Sequence, residues 1–243
     1  MKILLTGVGK GFGRSYLEHL IKKDNFEIIG LTRDLKDFNK NFLKTIKNKK
    51  ISLKSIDLSC TENVYSFLKE NKKILRNVDI LINNAGQRYR APVSKLDFNS
   101  LEKLFRANVI TPMILSKSVL FGMKKRRFGR IINISSILGS SGLPDVSGYS
   151  ATKGAIDSMT RSMAVEFAKY GITINAIAPG FCETSYAKNF KKNKKLNNEI
   201  IKRIPMSRWG AKDEINGALD FLISKKSSYI TGHILKVDGG WCS

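Results

Sequence analysis

Seven short apolar runs alternate with longer stretches of helical periodicity along this chain of 243 residues. The runs are bounded by Gly, Asn, Asp or Pro and are almost continuously hydrophobic, which is typical of strands buried on both faces. Because parallel strands need helical crossovers, the alternation predicts a parallel sheet with helices on both faces. The predicted strands are 3–5, 27–31, 52–56, 79–82, 130–134, 173–178 and 234–237, and the predicted helices are 13–23, 61–75, 98–125, 150–169 and 213–224.

The distribution of apolar residues predicts one domain spanning 1–243. Apolar residues make up 42% of the chain and occur along its whole length, and the five prolines do not cluster into a linker. The three cysteines and two histidines show no metal-ligand spacing, and an odd number of cysteines does not suit a disulfide framework. No apolar run approaches the roughly 18 residues of a membrane span. We therefore expect a soluble, cytoplasmic protein with neither a membrane anchor nor a catalytic metal.

The charge balance is strongly basic: 43 Lys and Arg against 20 Asp and Glu give a net charge of +23. Much of the excess lies in the Lys- and Asn-rich stretches 36–50 and 188–195, which lack regularly interleaved aromatic residues. We interpret them as solvated surface and predict no specific nucleic-acid site. Attraction of an anionic cofactor or substrate stays open as a second interpretation.

The first predicted strand leads directly into a glycine-rich turn at 7–13, which an amphipathic helix follows. Glycine lets the backbone approach a pyrophosphate closely, and the N–H groups and positive dipole end of a helix N-terminus stabilise its charge. This strand, turn and helix at the start of an α/β chain is typical of a Rossmann-type, doubly wound sheet that binds a dinucleotide. The predicted cofactor contacts in the turn are Gly7, Lys10, Gly11, Phe12 and Gly13.

The end of the second predicted strand bears on which dinucleotide binds. Thr32-Arg33-Asp34 lies about 20 residues after the glycine turn, where an acidic residue would accept the ribose 2′-hydroxyl of NAD(H) and an arginine would suit a 2′-phosphate. Arg33, with Lys10 in the turn, favours NADP(H). Asp34 keeps NAD(H) open, because a shift of one residue would exchange the two roles.

Three side chains suited to acid–base chemistry follow further along the chain. Tyr149 and Lys153 are four residues apart at the start of a predicted helix and therefore share one face. A phenol has an ordinary pKa of about 10, and a neighbouring ammonium lowers that pKa by favouring the phenolate. Ser136 ends the fifth predicted strand, at the sheet edge where open α/β sheets bind ligands.

These motifs make the sequence similar to the short-chain dehydrogenase/reductase family over essentially its whole length. The resemblance implies an NAD(P)-dependent oxidoreductase acting on secondary alcohols and carbonyls, built on a single-domain Rossmann-type α/β fold. The pieces that match, in family order and at family-like spacing, are Thr6-Gly7-x-x-x-Gly11-x-Gly13, Asp57-Leu58, Asn83-Asn84-Ala85-Gly86, Asn108, Ser136, Tyr149-x-x-x-Lys153 and Pro179-Gly180-x-x-x-Thr184.

The resemblance also implies a role for each matching residue. Tyr149 would be the general acid in reduction and the general base in oxidation, and Ser136 would hydrogen-bond the substrate oxygen. Lys153 would bind the nicotinamide ribose and lower the pKa of Tyr149, while Asn108 would hold a water that connects Lys153 to solvent. Ser135 is assigned a structural role. The implied cofactor contacts are Asp57 and Leu58 at the adenine, Asn84, Ala85 and Gly86 at the adenosine side of the cleft, and Pro179, Gly180 and Thr184 at the nicotinamide end.

Substrate class is left between two interpretations. The segments 87–92, 203–210 and 237–241 are similar to those of sugar-acid and polyol dehydrogenases of the family, and Arg88 or Arg90 could pair with a carboxylate. Much of the chain also resembles 3-oxoacyl-(acyl-carrier-protein) reductases, whose anionic carrier would suit the positive charge. A non-catalytic NADP(H)-binding regulatory protein is a remote alternative.

The resemblance has two further implications. Members of the family are usually tetrameric through the long helices around 98–125 and 150–169, which predicts a homotetramer. Cys182 follows Pro179-Gly180 and therefore lies near the expected site. Since direct hydride transfer needs no nucleophile, we expect Cys182 to serve in packing.

Overall fold

The computed structural model describes residues 1–23, 25–47, 50–184 and 187–243, with backbone only for 188–190. Within these residues one parallel sheet of seven strands has the order β3-β2-β1-β4-β5-β6-β7. Every predicted strand is present, and the predicted fold class is confirmed. The strands are β1 (Lys2–Thr6), β2 (Glu27–Thr32), β3 (Ile51–Ser55), β4 (Ile80–Asn83), β5 (Gly129–Ile134), β6 (Ile172–Pro179) and β7 (Ile234–Val237).

Helices cover both faces of this sheet. β1 shows why: Ile3 and Leu5 face one hydrophobic core and Leu4 faces the other, and none of the three is exposed. Continuous hydrophobicity is therefore what a strand between two helical layers requires. The α-helices are α1 (Gly11–Leu20), α2 (Lys40–Ile46), α3 (Thr61–Glu70), α4 (Lys72–Leu75), α5 (Phe98–Phe105), α6 (Thr111–Arg126), α7 (Ser147–Phe167), α8 (Ala187–Lys192), α9 (Lys194–Arg203) and α10 (Asn216–Ile223).

The strand order reverses beside β1, which pairs with β2 on one side and β4 on the other. The connections leaving β1 and β4 therefore pass to opposite faces of the sheet and leave a crevice at the carboxyl ends of these strands. The glycine turn after β1 and the Asn83-Asn84-Ala85-Gly86 segment after β4 both begin at this crevice.

Several helices differ from their predicted extents. The predicted helix 98–125 is divided by a π-helical turn at Arg106–Ile110, and the predicted helix 61–75 is divided between α3 and α4 at Asn71. α2, α8 and α9 lie in or beside the Lys- and Asn-rich stretches and were not predicted. α9 has too few apolar residues for a clear periodic signal, although its Ile200 is buried in a small third core.

The continuous helical stretch Phe98–Arg126 is long enough to span a membrane, and an 18-residue window within it has a mean hydropathy of 1.2, which is apolar enough for a membrane span. Half of that 18-residue window is buried within the fold, however. Leu115, Val119 and Met123 pack into the core on the α7 side of the sheet, so this stretch has the burial of a core helix.

Candidate active site

A cleft of about 570 Å³ opens at the carboxyl ends of the central strands. It brings together nearly all of the residues that the sequence predicts for the cofactor and the chemistry. Gly13 and Asn108 are the exceptions, and both lie just behind the wall. The predicted residues that line the cleft are Gly7, Lys10, Gly11, Phe12, Arg33, Asp57, Leu58, Asn84, Ala85, Gly86, Ser136, Tyr149, Lys153, Pro179, Gly180 and Thr184.

The glycine turn forms the floor of this cleft. Gly7 and Gly11 have φ values of 73° and 57°, in the left-handed region that favours glycine. A Cβ at Gly13 would lie 2.0 Å from the carbonyl oxygen of Gly7, so Gly13 acts by allowing α1 to pack against the turn. No side chain caps the N-terminus of α1 and its first turn has no acidic residue. Its N–H groups and dipole therefore suit a phosphate.

Beyond the turn, the end of β2 decides which charges face the cleft. Arg33 lines it, as predicted. Asp34 does not, because its carboxylate accepts a hydrogen bond from the Lys36 backbone N–H and caps a short 3₁₀ turn. The carboxylate that lines this part of the cleft, next to Arg33, is Asp37 at the end of that turn, which the sequence analysis missed.

At the other end of the cleft, Tyr149 and Lys153 lie one turn apart on α7. Tyr149 is only 8% exposed and Lys153 only 6%. The Lys153 ammonium donates a hydrogen bond of 2.7 Å to the Ile134 carbonyl at the end of β5 and lies 5.6 Å from the Tyr149 ring centroid. Ser136, two residues after β5, hydrogen-bonds the Tyr149 phenol. The predicted convergence of these three groups is present.

The electrostatics of Tyr149 follow from its two cationic neighbours. Burial is the largest influence and by itself raises the pKa of Tyr149, but the charges of Lys153 and Arg88 and hydrogen bonds from Ser136 and Arg88 outweigh it. The pKa of Tyr149 therefore lies below its ordinary value. Burial lowers the pKa of Lys153 below its ordinary value, although the charge of Tyr149 acts to raise that pKa.

A smaller, mainly apolar pocket continues inward from Tyr149. Ser136, Tyr149 and Arg88 lie on the walls that it shares with the large cleft. The rest of the pocket wall comes from Tyr89, from 137–146, from Phe181 and Cys182 after β6, and from Trp209. The apolar side chains that line the pocket are Phe12, Ile137, Leu138, Leu143, Val146, Phe181 and Trp209.

Cys182 also lines this inner pocket. Burial raises the pKa of its thiol to about 11, so the thiol is protonated at neutral pH and is a poor nucleophile. Within the described residues no group of three or more His, Cys, Asp or Glu side chains could hold a metal ion. His19 instead lies 2.7 Å from a carboxylate oxygen of Asp220, far along α1 from the cleft.

Comparison with known proteins identifies the family. A family model described as enoyl-(acyl carrier protein) reductase matches residues 7–242. The chain belongs to the short-chain dehydrogenase/reductase family. This dehydrogenase/reductase is 36% identical over 240 residues to a 2-dehydro-3-deoxy-D-gluconate 5-dehydrogenase of Bacillus subtilis (strain 168), covering 99% of this chain and 94% of that protein.

Two other relatives point in different directions. A 3-oxoacyl-(acyl-carrier-protein) reductase of Buchnera aphidicola subsp. Acyrthosiphon pisum (strain APS) is 35% identical, covering 97% of this chain and 95% of that protein. Among solved structures, a gluconate 5-dehydrogenase from Burkholderia cenocepacia J2315 in complex with NADP and tartrate has a TM-score of 0.90 and 30% identity, covering 99% of this chain and 94% of that chain. Both substrate classes named in the sequence analysis therefore occur among its relatives.

Asn108 and Ser135 of this dehydrogenase/reductase support the site through hydrogen bonds, Asn108 from behind the wall and Ser135 from within the cleft. Asn108 lies in the π-helical turn, is buried, and exchanges hydrogen bonds with the backbone of Gln87, while its amide donates to the Thr152 hydroxyl at 3.1 Å. It thus ties α7 to the segment that carries Arg88. The Ser135 hydroxyl donates to the backbone carbonyl of Lys153 at 3.4 Å, which suits the structural role predicted for it.

Proposed function

We propose that this chain is an NADP(H)-dependent oxidoreductase that interconverts a secondary alcohol and a ketone on a small, carboxylate-bearing substrate such as a sugar acid. The observation that carries this proposal is the position of Arg88. Its guanidinium lies 5.7 Å from the Tyr149 ring centroid, at the junction of the cofactor cleft and the inner pocket. A guanidinium there can hold a substrate carboxylate within reach of the acid–base tyrosine.

The residues present fit a phosphate-rich dinucleotide. The uncapped start of α1 and the glycine floor suit the pyrophosphate. Lys10 and Arg33 suit a 2′-phosphate, and Asp57 and Leu58 are available to the adenine. Asn84, Ala85 and Gly86 would line the adenosine side of the cofactor, and Pro179, Gly180 and Thr184 its nicotinamide end. The bound nicotinamide supplies the hydride donor or acceptor.

The chain's own groups handle the proton. In reduction Tyr149 donates its phenolic proton to the substrate oxygen, and in oxidation the phenolate accepts the proton. Ser136 donates a hydrogen bond to the same oxygen as negative charge develops on it. Lys153 and Arg88 stabilise the phenolate in both directions. Asn108 would position the water through which Lys153 exchanges protons with solvent.

The sugar-acid proposal is supported by relatives of this chain and by the segment that contains Arg88. A curated relative acts on a deoxygluconate derivative, and a solved relative is in complex with tartrate, a dicarboxylate. Arg88 belongs to the segment that the sequence analysis singled out for substrate recognition. Arg90, the other candidate in that segment, lies 3.6 Å from Asp145 and is not among the residues that line the cleft or the inner pocket, which makes it the weaker choice.

A second candidate is a 3-oxoacyl-(acyl-carrier-protein) reductase. The apolar wall of the inner pocket favours it, because an acyl chain needs no hydroxyl partners there. The net charge of +23 suits an anionic acyl carrier protein as partner. The Gln87-Arg88-Tyr89-Arg90 segment departs from the pattern usual in those reductases and argues against it.

One experiment separates the two candidates. Purified protein is tested for NADPH and NADH oxidation against an acetoacetyl thioester and a panel of keto-sugar acids, with Tyr149→Phe as the inactive control. We expect turnover of a sugar acid with NADPH, lost in Tyr149→Phe and weakened mainly through KM in Arg88→Met. Turnover of the thioester alone, with a KM that Arg88→Met leaves unchanged, would establish the acyl reductase instead. If NADPH binds and nothing is turned over by either form, the non-catalytic alternative gains support.

We also propose a homotetramer that acts in the cytoplasm. Support for the assembly comes from apolar side chains exposed along α6 and α7, including Met113, Phe121 and Val165. Support for the compartment comes from Cys60, Cys182 and Cys242, which are all free thiols.

A further inference from the structure

The end of the cleft where β2 finishes carries an ion pair that has no part in the proposed chemistry. Lys10, in the glycine turn, lies with its ammonium 3.1 Å from a carboxylate oxygen of Asp37. The Lys10 side chain is 76% exposed, whereas that of Asp37 is only 17% exposed. Both residues line the cleft together with Thr32 and Arg33. The cation proposed to meet a 2′-phosphate is therefore already paired with an anion of the same chain.

Asp37 is held in place by its surroundings rather than by Lys10 alone. It ends the 3₁₀ turn Leu35–Asp37, which Asp34 caps at its start. Its carboxylate accepts a hydrogen bond of 3.5 Å from the Thr32 hydroxyl. A Cβ at Gly9 would lie 2.2 Å from the same carboxylate, so the absence of a side chain at Gly9 leaves the space that Asp37 occupies. The sequence thus builds a fixed anion into the wall under the glycine turn.

We propose that Asp37 is an internal counter-anion that competes with the 2′-phosphate of NADP(H) for Lys10. This inference rests on the cofactor assignment made above and concerns the nucleotide only, whatever the substrate proves to be. A 2′-phosphate must displace the Asp37 carboxylate from Lys10 and also approach its negative charge. A nucleotide with a free 2′-hydroxyl meets neither cost, and a carboxylate is a good acceptor for that hydroxyl.

Asp37 therefore narrows the preference between the two dinucleotides. Lys10 and Arg33 favour the phosphorylated form, and Asp37 offsets part of that advantage. The sequence-based argument gave this balancing role to Asp34, but Asp34 caps the 3₁₀ turn instead. The residue that keeps NAD(H) open is three positions further along the chain.

The test is the affinity of the apoprotein for NADPH and for NADH, measured by nucleotide fluorescence at low ionic strength, where charge effects are least screened. In Asp37→Asn we expect the Kd for NADPH to fall about fivefold, the scale of a partly exposed ion pair. The Kd for NADH should stay the same or rise. Asp34→Asn is the matched control: it lies on the same turn, keeps a capping side chain, and should change neither Kd.

A second comparison tests the part played by Lys10. In Lys10→Met the Kd for NADPH should rise while that for NADH changes little, and adding Asp37→Asn should give a smaller gain than it gives in the wild type. Equal changes for both nucleotides in Asp37→Asn, or a loss of NADPH affinity, would overturn the proposal. Wild-type protein that binds neither nucleotide would overturn the cofactor assignment as well. A normal melting temperature in each variant separates these outcomes from misfolding.

Discussion

Tyr149 shows how much a single residue's behaviour depends on its neighbours. A buried phenol favours its neutral form, as the fully buried Tyr16 does, where burial raises the pKa well above its ordinary value. Tyr149 is almost as buried, but the charges of Lys153 and Arg88 reverse the direction of its pKa shift. Two tyrosines on different helices of one chain thus differ because of two cations.

The first prediction concerns Arg88 as an electrostatic neighbour of Tyr149. Arg88→Met removes a cation that stabilises the phenolate, so the pKa of Tyr149 should rise and the phenolate should form only at higher pH. Ultraviolet difference absorption between each protein and its Tyr149→Phe counterpart isolates this titration. Arg90→Met is the control, since Arg90 lies beside Asp145. A pKa that is unchanged in Arg88→Met would show that Arg88 serves the substrate alone.

The second prediction separates the two adjacent serines. Ser136 hydrogen-bonds the Tyr149 phenol and lines the inner pocket, whereas the Ser135 hydroxyl donates to the backbone of α7. Ser136→Ala should lower kcat about 100-fold, as expected for loss of a donor to a developing oxyanion. Ser135→Ala should mainly lower Tm, with kcat reduced much less. Steady-state kinetics on the substrate found by the panel, with thermal melts, would contradict the assignment if the two effects were exchanged.

At this scale the sequence predicted residues whose role is fixed by local motif and missed those whose role is fixed by packing. Tyr149 and Lys153 share a face because of helical spacing, and Ser136 lies at the sheet edge because it comes just after a strand. All three positions were therefore predictable. Asp37 reaches the cleft only because a 3₁₀ turn ends there and Gly9 leaves room. Nothing in the spacing of the acidic residues distinguishes Asp37 from Asp34.

Among the elements, the glycine turn and α1 are a tightly fitted pair. Gly13 lies within α1, and a Cβ there would meet both the Gly7 carbonyl and, at 2.4 Å, the Asn84 side-chain amide. That amide donates to the carbonyls of Thr6 and Gly7. The turn, α1 and the segment after β4 are therefore joined at a point with no spare volume.

The third prediction tests this fit. Gly13→Ala should lower the free energy of unfolding by about 1–3 kcal/mol, the usual cost of overpacking, and should weaken nucleotide binding because the turn must shift. Gly217→Ala is the matched control, since Gly217 lies in the first turn of α10 with nothing near its would-be Cβ. It should be neutral or slightly stabilising. Denaturant unfolding measures the free energy of unfolding of the two variants. Equal stability of Gly13→Ala and Gly217→Ala would mean that α1 can move away from the turn freely.

Strands were easier to predict than helices for a physical reason. Each strand is buried on both faces and must be hydrophobic throughout, so its signal is local. The predicted helix 98–125 has the right extent, but its periodicity does not reveal the π-helical turn that carries Asn108, because one extra residue per turn barely alters the apolar pattern. α8 and α9 are rich in Lys and Asn, and α9 buries Ile200 alone, so their sequence pattern is that of a solvated segment.

At the scale of the whole molecule, the fold could be predicted and the assembly could not be derived from it. One sheet with two helical layers follows from the alternation of strand and helix alone. Whether further subunits bind outside those layers depends on which apolar helix faces the fold leaves exposed. α6 and α7 lie over the same core, and on their outer sides Phe121 and Val165 are exposed, Val165 by 84%. Apolar side chains exposed on two neighbouring helices suit an interface with further copies of this chain.

The last prediction concerns that interface. A charge placed at Val165 would be buried without a partner in a tetramer built on α6 and α7, so Val165→Glu should dissociate the assembly while leaving each subunit folded. Tyr65→Glu is the control, because Tyr65 is 64% exposed and lies on α3, which is neither of these two helices. Light scattering coupled to size exclusion should give a tetramer for the wild type and for Tyr65→Glu, and a smaller species for Val165→Glu. A monomeric wild type would exclude the assembly, and a tetrameric Val165→Glu would place its interfaces on other faces of the subunit.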